Sequence, residues 1–416
     1  MSDPAAGTLS PAAKAPSLAI VVSTLGVTQI LAWGSSYYLL AVLAQPIARD
    51  TGWPLGWVVG GLSLGLLTAG LASPRVGDSI QHRGGRPVLA VSALLLALGL
   101  IGLALAPALP IYLASWLVLG IGMGAGLYDA AFATLGRLYG QRARRAIATL
   151  TLFGGFASTV CWPLSAMMVS HFGWRGACLI YAGIHLAILL PLYLFVLPSE
   201  PRTAIAVAAG KVAPATSSRA KSRLPPGTMM LFILLAATIT IASMISTLIS
   251  VHLMTILQAR DIALAAAVAL GAIVGPAQVS ARAIEMLISR YHHPIWTMLG
   301  GTIFVAIGVG ALWAGLPIIA AALVFYGAGI GIESIARGTL PLVLFGEASY
   351  AAIMGRIAMP SFLVQAAAPS LGAVLMARLG ALGTLETLFA VAIANVVLVL
   401  ALLVILPRAP AAREAR

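Results

Sequence analysis

The chain has few charged residues and very few acidic ones. Only 8% of its 416 residues are charged, and 24 Lys and Arg residues outnumber 11 Asp and Glu residues. A soluble domain carries about 25% charged residues, so this composition excludes an ordinary water-soluble globular protein. Cysteine is also scarce. Cys161 and Cys178 both lie in apolar stretches, which excludes a disulfide-stapled secreted fold.

The sequence motifs of several enzyme classes are missing. The chain has no phosphate-binding loop, no nucleophile elbow and no cluster of metal ligands at a recognisable spacing. We therefore predict that it is not an enzyme or an ATP-driven pump, and that it has no cofactor and no metal site. The net charge of +13 is not accompanied by a basic patch interleaved with aromatic residues, so nucleic acid is not an expected partner.

Long apolar runs make up most of the chain, which is 61% hydrophobic. A transmembrane helix needs about 20 mostly apolar residues, because its backbone groups must bond within the segment. The first run is too long for a signal-peptide core, so we interpret it as an uncleaved helix. The sequence predicts an all-α membrane protein with twelve transmembrane helices. They cover residues 18–43, 55–72, 88–106, 111–135, 147–169, 177–197, 228–257, 262–281, 295–315, 317–335, 357–377 and 384–406.

Positive charges are concentrated on alternate connections. All Lys and Arg residues except four fall near the N-tail, the even-numbered connections and the C-tail; the exceptions are Arg49, Arg175, Arg260 and Arg378. The positive-inside rule then places both termini in the cytoplasm. Short connections and few cysteines suit a bacterial inner membrane. The basic charge is expected to lie beside anionic lipid headgroups.

One polar stretch divides the apolar runs into two halves of nearly equal length. Residues 198–227 are rich in Pro, Ser, Ala and basic side chains and lack a continuous apolar face, as expected of a linker. The predicted organisation is an N-tail (1–17), a six-helix bundle (18–197), this cytoplasmic linker, a second six-helix bundle (228–406) and a C-tail (407–416).

The two halves repeat each other. GMGAGLYD, which ends at Asp129, resembles GAGIGIE, which ends at Glu333. At nearly the same offset Phe156 matches Phe362, and each is followed by a proline two turns later. Close helix packing in lipid explains the glycines but not an acid in both halves. Parallel repeats of six helices with a site between them are typical of rocking transporters.

The connection between the second and third runs, PRVGDSIQHRGGR, resembles a loop signature of the major facilitator superfamily. Gly77, Gly84 and Arg86 match that signature, whereas Gln81 and His82 stand where the family has Asp and Arg. The resemblance extends over essentially the whole chain. It implies two parallel-repeat six-helix bundles, the major facilitator fold.

In that family the missing Asp helps to latch the cytoplasmic gate. Asp78, one turn away, is a candidate substitute, and whether Gln81 and His82 disable the latch stays open. The predicted gating residues are Gly77, Asp78, Gly84, Arg86 and Arg337.

The eighth run resembles the monocarboxylate and oxalate–formate transporter branch of the family. In that branch an Asp precedes, by four residues, an Arg that meets the substrate carboxylate. Arg282 matches the Arg, and Gln278 replaces the Asp. The lysine of the branch's first helix has no counterpart. The motifs of drug/proton antiporters are reduced, since Trp116 stands where an Arg would precede Gly120. The resemblance implies an anionic substrate as a hypothesis.

Ionisable residues within spans are costly and mark functional sites. We predict Asp129 and Glu333 as proton-coupling residues, because burial and neighbouring charge shift the proton affinity of a carboxylate. The alternatives are structural. Asp129 would form an ion pair with a loop arginine such as Arg137 or Arg145, and Glu333 would pair with Arg337 four residues along its helix.

Substrate contacts are predicted on the first, eighth and eleventh spans. Gln29 and Trp33 share one face of the first span, and Tyr37 continues it. Arg282 can grip a carboxylate with two parallel hydrogen bonds, although Glu285, three residues away, is an alternative partner for it. The predicted substrate-binding residues are Arg282, Gln29, Trp33, Tyr37, Gln278 and Gln365.

These features predict a secondary transporter that moves a small organic solute by alternating access, coupled to protons or a counter-ion. A small organic anion such as a monocarboxylate is the first choice, because of Arg282. Efflux of a neutral or cationic compound, with Asp129 and Glu333 in an aromatic-lined cavity, is the second. A non-transporting membrane receptor with the same fold is a third. The expected partners are the small-molecule substrate and membrane lipid, with no obligate protein partner.

Overall fold

The structure is a computed structural model that describes residues 17–199 and 228–406. Within these two ranges the chain is helical and contains no strands, which confirms the predicted fold class. The predicted C-tail lies outside the described residues. So do residues 1–16 of the predicted N-tail and residues 200–227 of the predicted linker.

The first half is built from eight α-helices among the described residues. The last of them, α8, continues as two π-helical segments, His185–Leu189 and Leu192–Val196. The helices are α1 (Leu18–Gly34), α2 (Leu39–Thr51), α3 (Leu55–Arg83), α4 (Gly85–Leu105), α5 (Leu109–Gly126), α6 (Tyr128–Tyr139), α7 (Ala143–Gly155) and α8 (Ala157–Ile184).

The described part of the second half consists of six α-helices, and the last of them is much longer than the others. These helices are α9 (Met229–Gln258), α10 (Leu264–Gly271), α11 (Val274–Ile288), α12 (Pro294–Trp313), α13 (Ile319–Phe345) and α14 (Glu347–Ile405).

Nine helical segments of the described chain are long and apolar enough to cross a membrane, and two of them hold more than one crossing. The 59 residues of α14 would extend about 88 Å, against roughly 30 Å of hydrocarbon. Gly380, at φ 67°, divides α14 into two crossings, and Gly140 and Gly173, at φ 55° and 69°, divide Leu109–Val196 into three. Only glycine adopts this backbone region readily. The described ranges therefore contain the twelve transmembrane helices that the apolar runs predict.

Several helices continue past the predicted C-terminal ends of their apolar runs, α3 and α13 the furthest. The second run was expected to end at residue 72 and the tenth at residue 335, but α3 continues to Arg83 and α13 to Phe345. Charged residues end a hydropathy run without ending a helix, and here the added turns pack against other helices. We call this end of the bundle, formed by residues 78–86, 137–145, 289–293 and 342–356, the arginine-rich end.

The two halves are packed together at the arginine-rich end. The main apolar core of the first half continues into the second half through Leu342, Tyr350 and Met354. The backbones of α3 and α14 also meet closely here. A Cβ atom on Gly77 would lie 2.6 Å from the Ala351 carbonyl oxygen, so only glycine permits this approach.

Candidate functional site

A cavity of about 230 Å³ lies between the two halves. The first half contributes mainly aromatic side chains, and the second half contributes hydroxyl, amide and charged groups. The polar and aromatic lining residues are Trp33, Tyr37, Tyr38, Tyr128 and Asp129 from the first half and Ser243, Ser246, Thr247, Ser250, Gln278, Arg282, Glu333, Ser334, Arg337, Phe362 and Gln365 from the second.

Interrupted helices bring the first-half residues to the cavity. Residues 35–38 form a turn between α1 and α2, and this turn carries Tyr37 and Tyr38. Leu127, with extended backbone angles, separates α5 from α6. Asp129 therefore lies in the first turn of α6, where the positive end of the helix dipole favours a carboxylate.

The aromatic wall is held by a buried amide. Trp33 contacts Tyr37 and Tyr128, with ring centroids 5.2 and 5.1 Å away. The Trp33 Nε1 donates to Gln29 Oε1 at 3.2 Å, and Gln29 Nε2 donates to the Gly126 carbonyl at 2.7 Å. Gln29 is fully buried and is not one of the cavity-lining residues. The structure thus places Gln29 behind Trp33, at the helix interruption.

A bidentate ion pair joins the two halves at the cavity wall. Arg337 on α13 donates from Nε and Nη2 to the two carboxylate oxygens of Asp129 on α6, at 3.0 and 2.8 Å. Its Nη1 lies 3.3 Å from the Ser243 hydroxyl. Asp129 is thus ion-paired as the structural alternative expected, but its partner is not a loop arginine. The expected pairing of Glu333 with Arg337 is replaced by this contact between halves.

Arg282 on α11 is buried among neutral partners. Its Nη1 donates to the Thr151 carbonyl of the first half at 2.9 Å, its Nε to the Gly331 carbonyl at 3.3 Å and its Nη2 to Gln278 Oε1 at 3.2 Å. Only 6% of Arg282 is exposed. Among the described residues its hydrogen-bond partners include no carboxylate.

The alternative partner of Arg282, Glu285, is engaged elsewhere. The Thr297 hydroxyl donates to Glu285 Oε1 at 2.7 Å, and His292 Nε2 lies 3.5 Å from the same oxygen. The expected pairing of Arg282 with Glu285 therefore does not form. Arg282 lines the cavity, and no acid among the described residues forms an ion pair with it.

Glu333 lies in the same cavity and is 7% exposed. Its Oε1 has no hydrogen-bond partner among the residues that the structure describes. Gln365 also lines the cavity, and its Nε2 donates to the Ser361 carbonyl at 3.1 Å. One cavity therefore holds an acid–arginine pair, an arginine with neutral partners and a carboxylate with an unpartnered oxygen.

At the arginine-rich end, further contacts join the halves. Gln81 Nε2 donates to the Ala348 carbonyl at 2.9 Å, and Asp78 lies 3.9 Å from Arg356. The backbone N–H of Gln141 donates to Glu347 at 2.8 Å. Gln81, which departs from the family signature, thus makes a neutral hydrogen bond across the halves.

Other residues of the predicted gate have local roles in the backbone. Gly84, at φ 85°, separates α3 from α4, and Arg86 lies in the first turn of α4. His82 Nδ1 lies 2.7 Å from the carbonyl oxygen of Asp78, one turn back in the same helix.

The sequence model of the Major Facilitator Superfamily matches residues 25–292, well over half of the chain. This chain belongs to the major facilitator superfamily. The predicted family is thereby confirmed, and its members are membrane transporters.

Sequence relatives include monocarboxylate transporters. The chain is 35% identical to human monocarboxylate transporter 11 over 162 residues, which cover 37% of this chain and 32% of that protein. It is 28% identical to bovine monocarboxylate transporter 13 over 149 residues, 35% of this chain and 33% of that protein. The matched part spans about a third of the length of these relatives.

Solved structures of similar fold cover nearly the whole chain. The human organic anion transporter MFSD10 superposes with a TM-score of 0.71 at 16% identity, covering 92% of this chain and all of that one. The proton:xylose symporter XylE superposes with a TM-score of 0.69 at 13% identity, covering 91% and 94%. At these identities the similarity shows the fold.

Several residues of this site are not among the predicted ones, and two of them lie beside Arg282 or its partner. The Tyr128 hydroxyl donates to the Thr151 carbonyl at 3.3 Å, the same oxygen that Arg282 binds. A Cβ atom on Gly155 would lie 2.8 Å from Arg282 Nη1, so the glycine leaves room for the guanidinium. The position of Tyr128 next to Asp129 was an available signal. For Gly155 there was none, because its neighbour comes from the other half.

Proposed function

We propose that this protein is a secondary transporter that carries a small organic anion, a monocarboxylate by first choice, across the inner membrane by alternating access and in company with a proton. The observation that carries the proposal is the guanidinium of Arg282, buried in the central cavity and bound by neutral groups. An uncompensated buried charge is unfavourable, so a carboxylate that meets Arg282 gains a charge-assisted, bidentate partner.

The names of the sequence relatives support an anionic substrate. Two of the sequence relatives are named monocarboxylate transporters. In this chain Gln278 occupies the position of that branch's Asp and hydrogen bonds Arg282 without neutralising it. The cavity is small, at about 230 Å³, and its aromatic wall of Trp33, Tyr37 and Tyr128 suits a short apolar tail attached to the carboxylate.

We assign proton coupling to Glu333 in preference to Asp129. An unpaired buried carboxylate is costly in its charged form, and a proton removes that cost. Asp129 already has a bidentate partner in Arg337. Because this ion pair joins the halves, it must break when they separate, and we assign it to holding the arginine-rich end closed.

Alternating access follows if residues 18–197 and 228–406 rock as two six-helix bundles about the cavity. Both termini and the arginine-rich end are then cytoplasmic by the positive-inside rule. In this orientation the packed end seen in the structure closes the cavity towards the cytoplasm, with Gly77, Asp78, Gln81 and Arg356 at the contact.

The test is uptake of labelled lactate and pyruvate into proteoliposomes, with and without an inward proton gradient. We expect gradient-stimulated, saturable uptake by the wild type. Arg282→Gln should raise KM at least about tenfold, which corresponds to roughly 1.4 kcal/mol of binding. Arg290→Gln, which removes the same charge from an exposed site, should leave uptake unchanged.

Glu333→Gln separates coupling from binding. We expect this variant to exchange labelled for unlabelled anion across the membrane but to lose stimulation by the proton gradient. A wild type that moves no anion under any gradient, or an Arg282→Gln variant with unchanged KM, contradicts the proposal. Binding of the anion without flux indicates a receptor in place of a transporter.

A second candidate function is efflux of a cationic or neutral compound. The unpartnered Oε1 of Glu333 and the aromatic cluster around Trp33 favour it, because aromatic faces and a carboxylate both attract cations. In this case a positively charged dye is transported, Glu333→Gln abolishes its transport, and Arg282→Gln has little effect.

A further inference from the structure

A groove of about 550 Å³ lies on the side of the first half, between α3, α4 and α5 and separate from the central cavity. Its walls are mainly apolar side chains, and two arginines of α3 line it. Arg83 lies at the end of the groove nearest the α3–α4 connection, and Arg75 lies about two helical turns further in. The residues that define this lateral groove are Arg75, Arg83, Leu71, Val88, Val91 and Ile121.

The helical repeat places both arginines on the same face. Arg75, Ser79 and Arg83 are four residues apart and all line the lateral groove, so they form one stripe along α3. Thr68 extends the lining towards the membrane interior. From residue 68 to residue 83 the helix rises about 22 Å. This exceeds the roughly 15 Å of hydrocarbon in one leaflet, so the groove runs from headgroup level to the acyl chains.

No acidic group within residues 17–199 and 228–406 neutralises either arginine. Both side chains are exposed, and in the described part of the chain neither Arg75 nor Arg83 makes an ion pair or a side-chain hydrogen bond. The acid nearest in sequence, Asp78, is turned towards Arg356 of the second half. Two unneutralised guanidinium groups therefore face a groove that is otherwise apolar.

We propose that the lateral groove binds one anionic phospholipid, with its phosphate on Arg75 and Arg83 and an acyl chain along Val88, Val91 and Ile121. Guanidinium groups bind phosphate oxygens with parallel hydrogen bonds, and long arginine side chains reach headgroup level while their stems stay in the apolar layer. The polar end and the apolar length of the groove match the two parts of a phospholipid. A soluble phosphate would use only the polar end.

The test is native mass spectrometry of the full-length protein in detergent with equal amounts of dioleoyl phosphatidylglycerol and dioleoyl phosphatidylcholine. We expect one retained phosphatidylglycerol in preference to phosphatidylcholine. Arg75→Gln/Arg83→Gln should lower its occupancy at least about tenfold. Arg142→Gln/Arg145→Gln removes the same charge from two other exposed arginines at the arginine-rich end and should retain the lipid.

A second variant tests the acyl-chain part of the groove. Val91 is 50% exposed, so Val91→Trp is expected to fold and to fill the groove while leaving both arginines in place. It should also lose the retained lipid, and excess inorganic phosphate should not displace phosphatidylglycerol from the wild type. The proposal would be overturned if both double arginine variants lost the lipid equally or if the wild type retained the two lipids equally. Displacement of phosphatidylglycerol by inorganic phosphate would also overturn it.

Discussion

The two arginines that line the cavity differ in what they bind. Both belong to the second half and both reach across to the first, Arg337 to the Asp129 carboxylate and Arg282 to the Thr151 carbonyl. Arg337 is neutralised by its partner, whereas Arg282 is only hydrogen-bonded by its partners. An arginine that already has a carboxylate holds the protein together, and an arginine that has only carbonyl and amide oxygens has its charge available to a ligand.

The same difference separates the two acids that follow the glycine-rich stretch in each half. Asp129 is paired with an arginine, whereas Glu333 has one oxygen with no hydrogen-bond partner in the part of the chain that the structure describes. The site thus contains one ion pair, Asp129 with Arg337, whose charges neutralise each other within the protein; we call it the closed pair. It also contains Arg282, which is available to a substrate anion, and Glu333, which is available to a proton. Three substitutions test this division, from the largest expected effect to the smallest.

Removing the acid of the closed pair is expected to have the largest effect. Asp129→Asn leaves Arg337, whose side chain is 19% exposed, without a carboxylate, which should cost up to about 3 kcal/mol of stability, the lower end of the range for a fully buried pair, and lower the unfolding temperature in detergent. Asp129→Asn/Arg337→Gln should lose less than the sum of the two single variants, because the pair is one interaction.

An exposed ion pair provides the control for this prediction. Asp50 lies 3.8 Å from Arg175, with both side chains about half exposed, and such pairs contribute roughly 0–1 kcal/mol. Asp50→Asn should therefore cost far less than Asp129→Asn. Comparable losses in the two variants, or additive losses in the double variant, would show that the closed pair is not the main contact between the halves.

Placing a carboxylate next to Arg282 should create a second closed pair. Gln278→Glu changes the atom 3.2 Å from Arg282 Nη2 from an amide to a carboxylate oxygen with almost no change in shape. We expect the KM for the anion to rise about tenfold, equivalent to 1.4 kcal/mol, with stability retained. The measurement is proteoliposome uptake over a range of anion concentrations.

Gln365→Glu is the matched control, because it adds the same charge to the cavity wall on a residue that hydrogen bonds the Ser361 carbonyl and not Arg282. A smaller rise in KM is expected. An equal rise in both variants would mean that the total charge of the cavity, rather than the neutrality of Gln278, governs anion binding.

Displacing the guanidinium without changing charge should have the smallest effect. Gly155→Ala adds a methyl group that would lie 2.8 Å from Arg282 Nη1 and 3.0 Å from Val279, so the Arg282 head must shift. We expect a several-fold rise in KM with little loss of stability, because the far end of a flexible side chain can move. Gly300→Ala, in a helix with open space around the added Cβ, should leave both quantities unchanged, and a normal KM in Gly155→Ala would contradict the assigned role of Arg282.

Parts of the site were open to prediction from the sequence because they depend on local chemistry. The costly polar residues within apolar runs, Asp129, Arg282 and Glu333, were identified, and all three line the cavity. Their partners were not. The i,i+4 rule pairs Glu333 with Arg337, and it is outweighed because the N-terminus of α6 presents a carboxylate to Arg337 from the other half.

Gln29 shows the same limit. Its spacing from Trp33 correctly indicates a shared helix face, and the two side chains are hydrogen-bonded. The spacing says nothing about which of them borders open space. The Gln29 amide instead donates to the carbonyl of Gly126, at the interruption between α5 and α6, and therefore lies away from the cavity.

The sequence by itself determined the twelve crossings, the two repeated halves and the concentration of arginine on alternate connections. Each of these depends on the hydropathy and charge of individual segments relative to the bilayer, and not on which helices are neighbours. The tertiary structure decided which charges neutralise each other. Asp129 and Arg337 are 208 residues apart, and which acid meets which arginine depends on how each helix is rotated and where it is interrupted. Those rotations are set by packing between helices, at contacts such as Gly77 against α14 and Gly155 against Arg282.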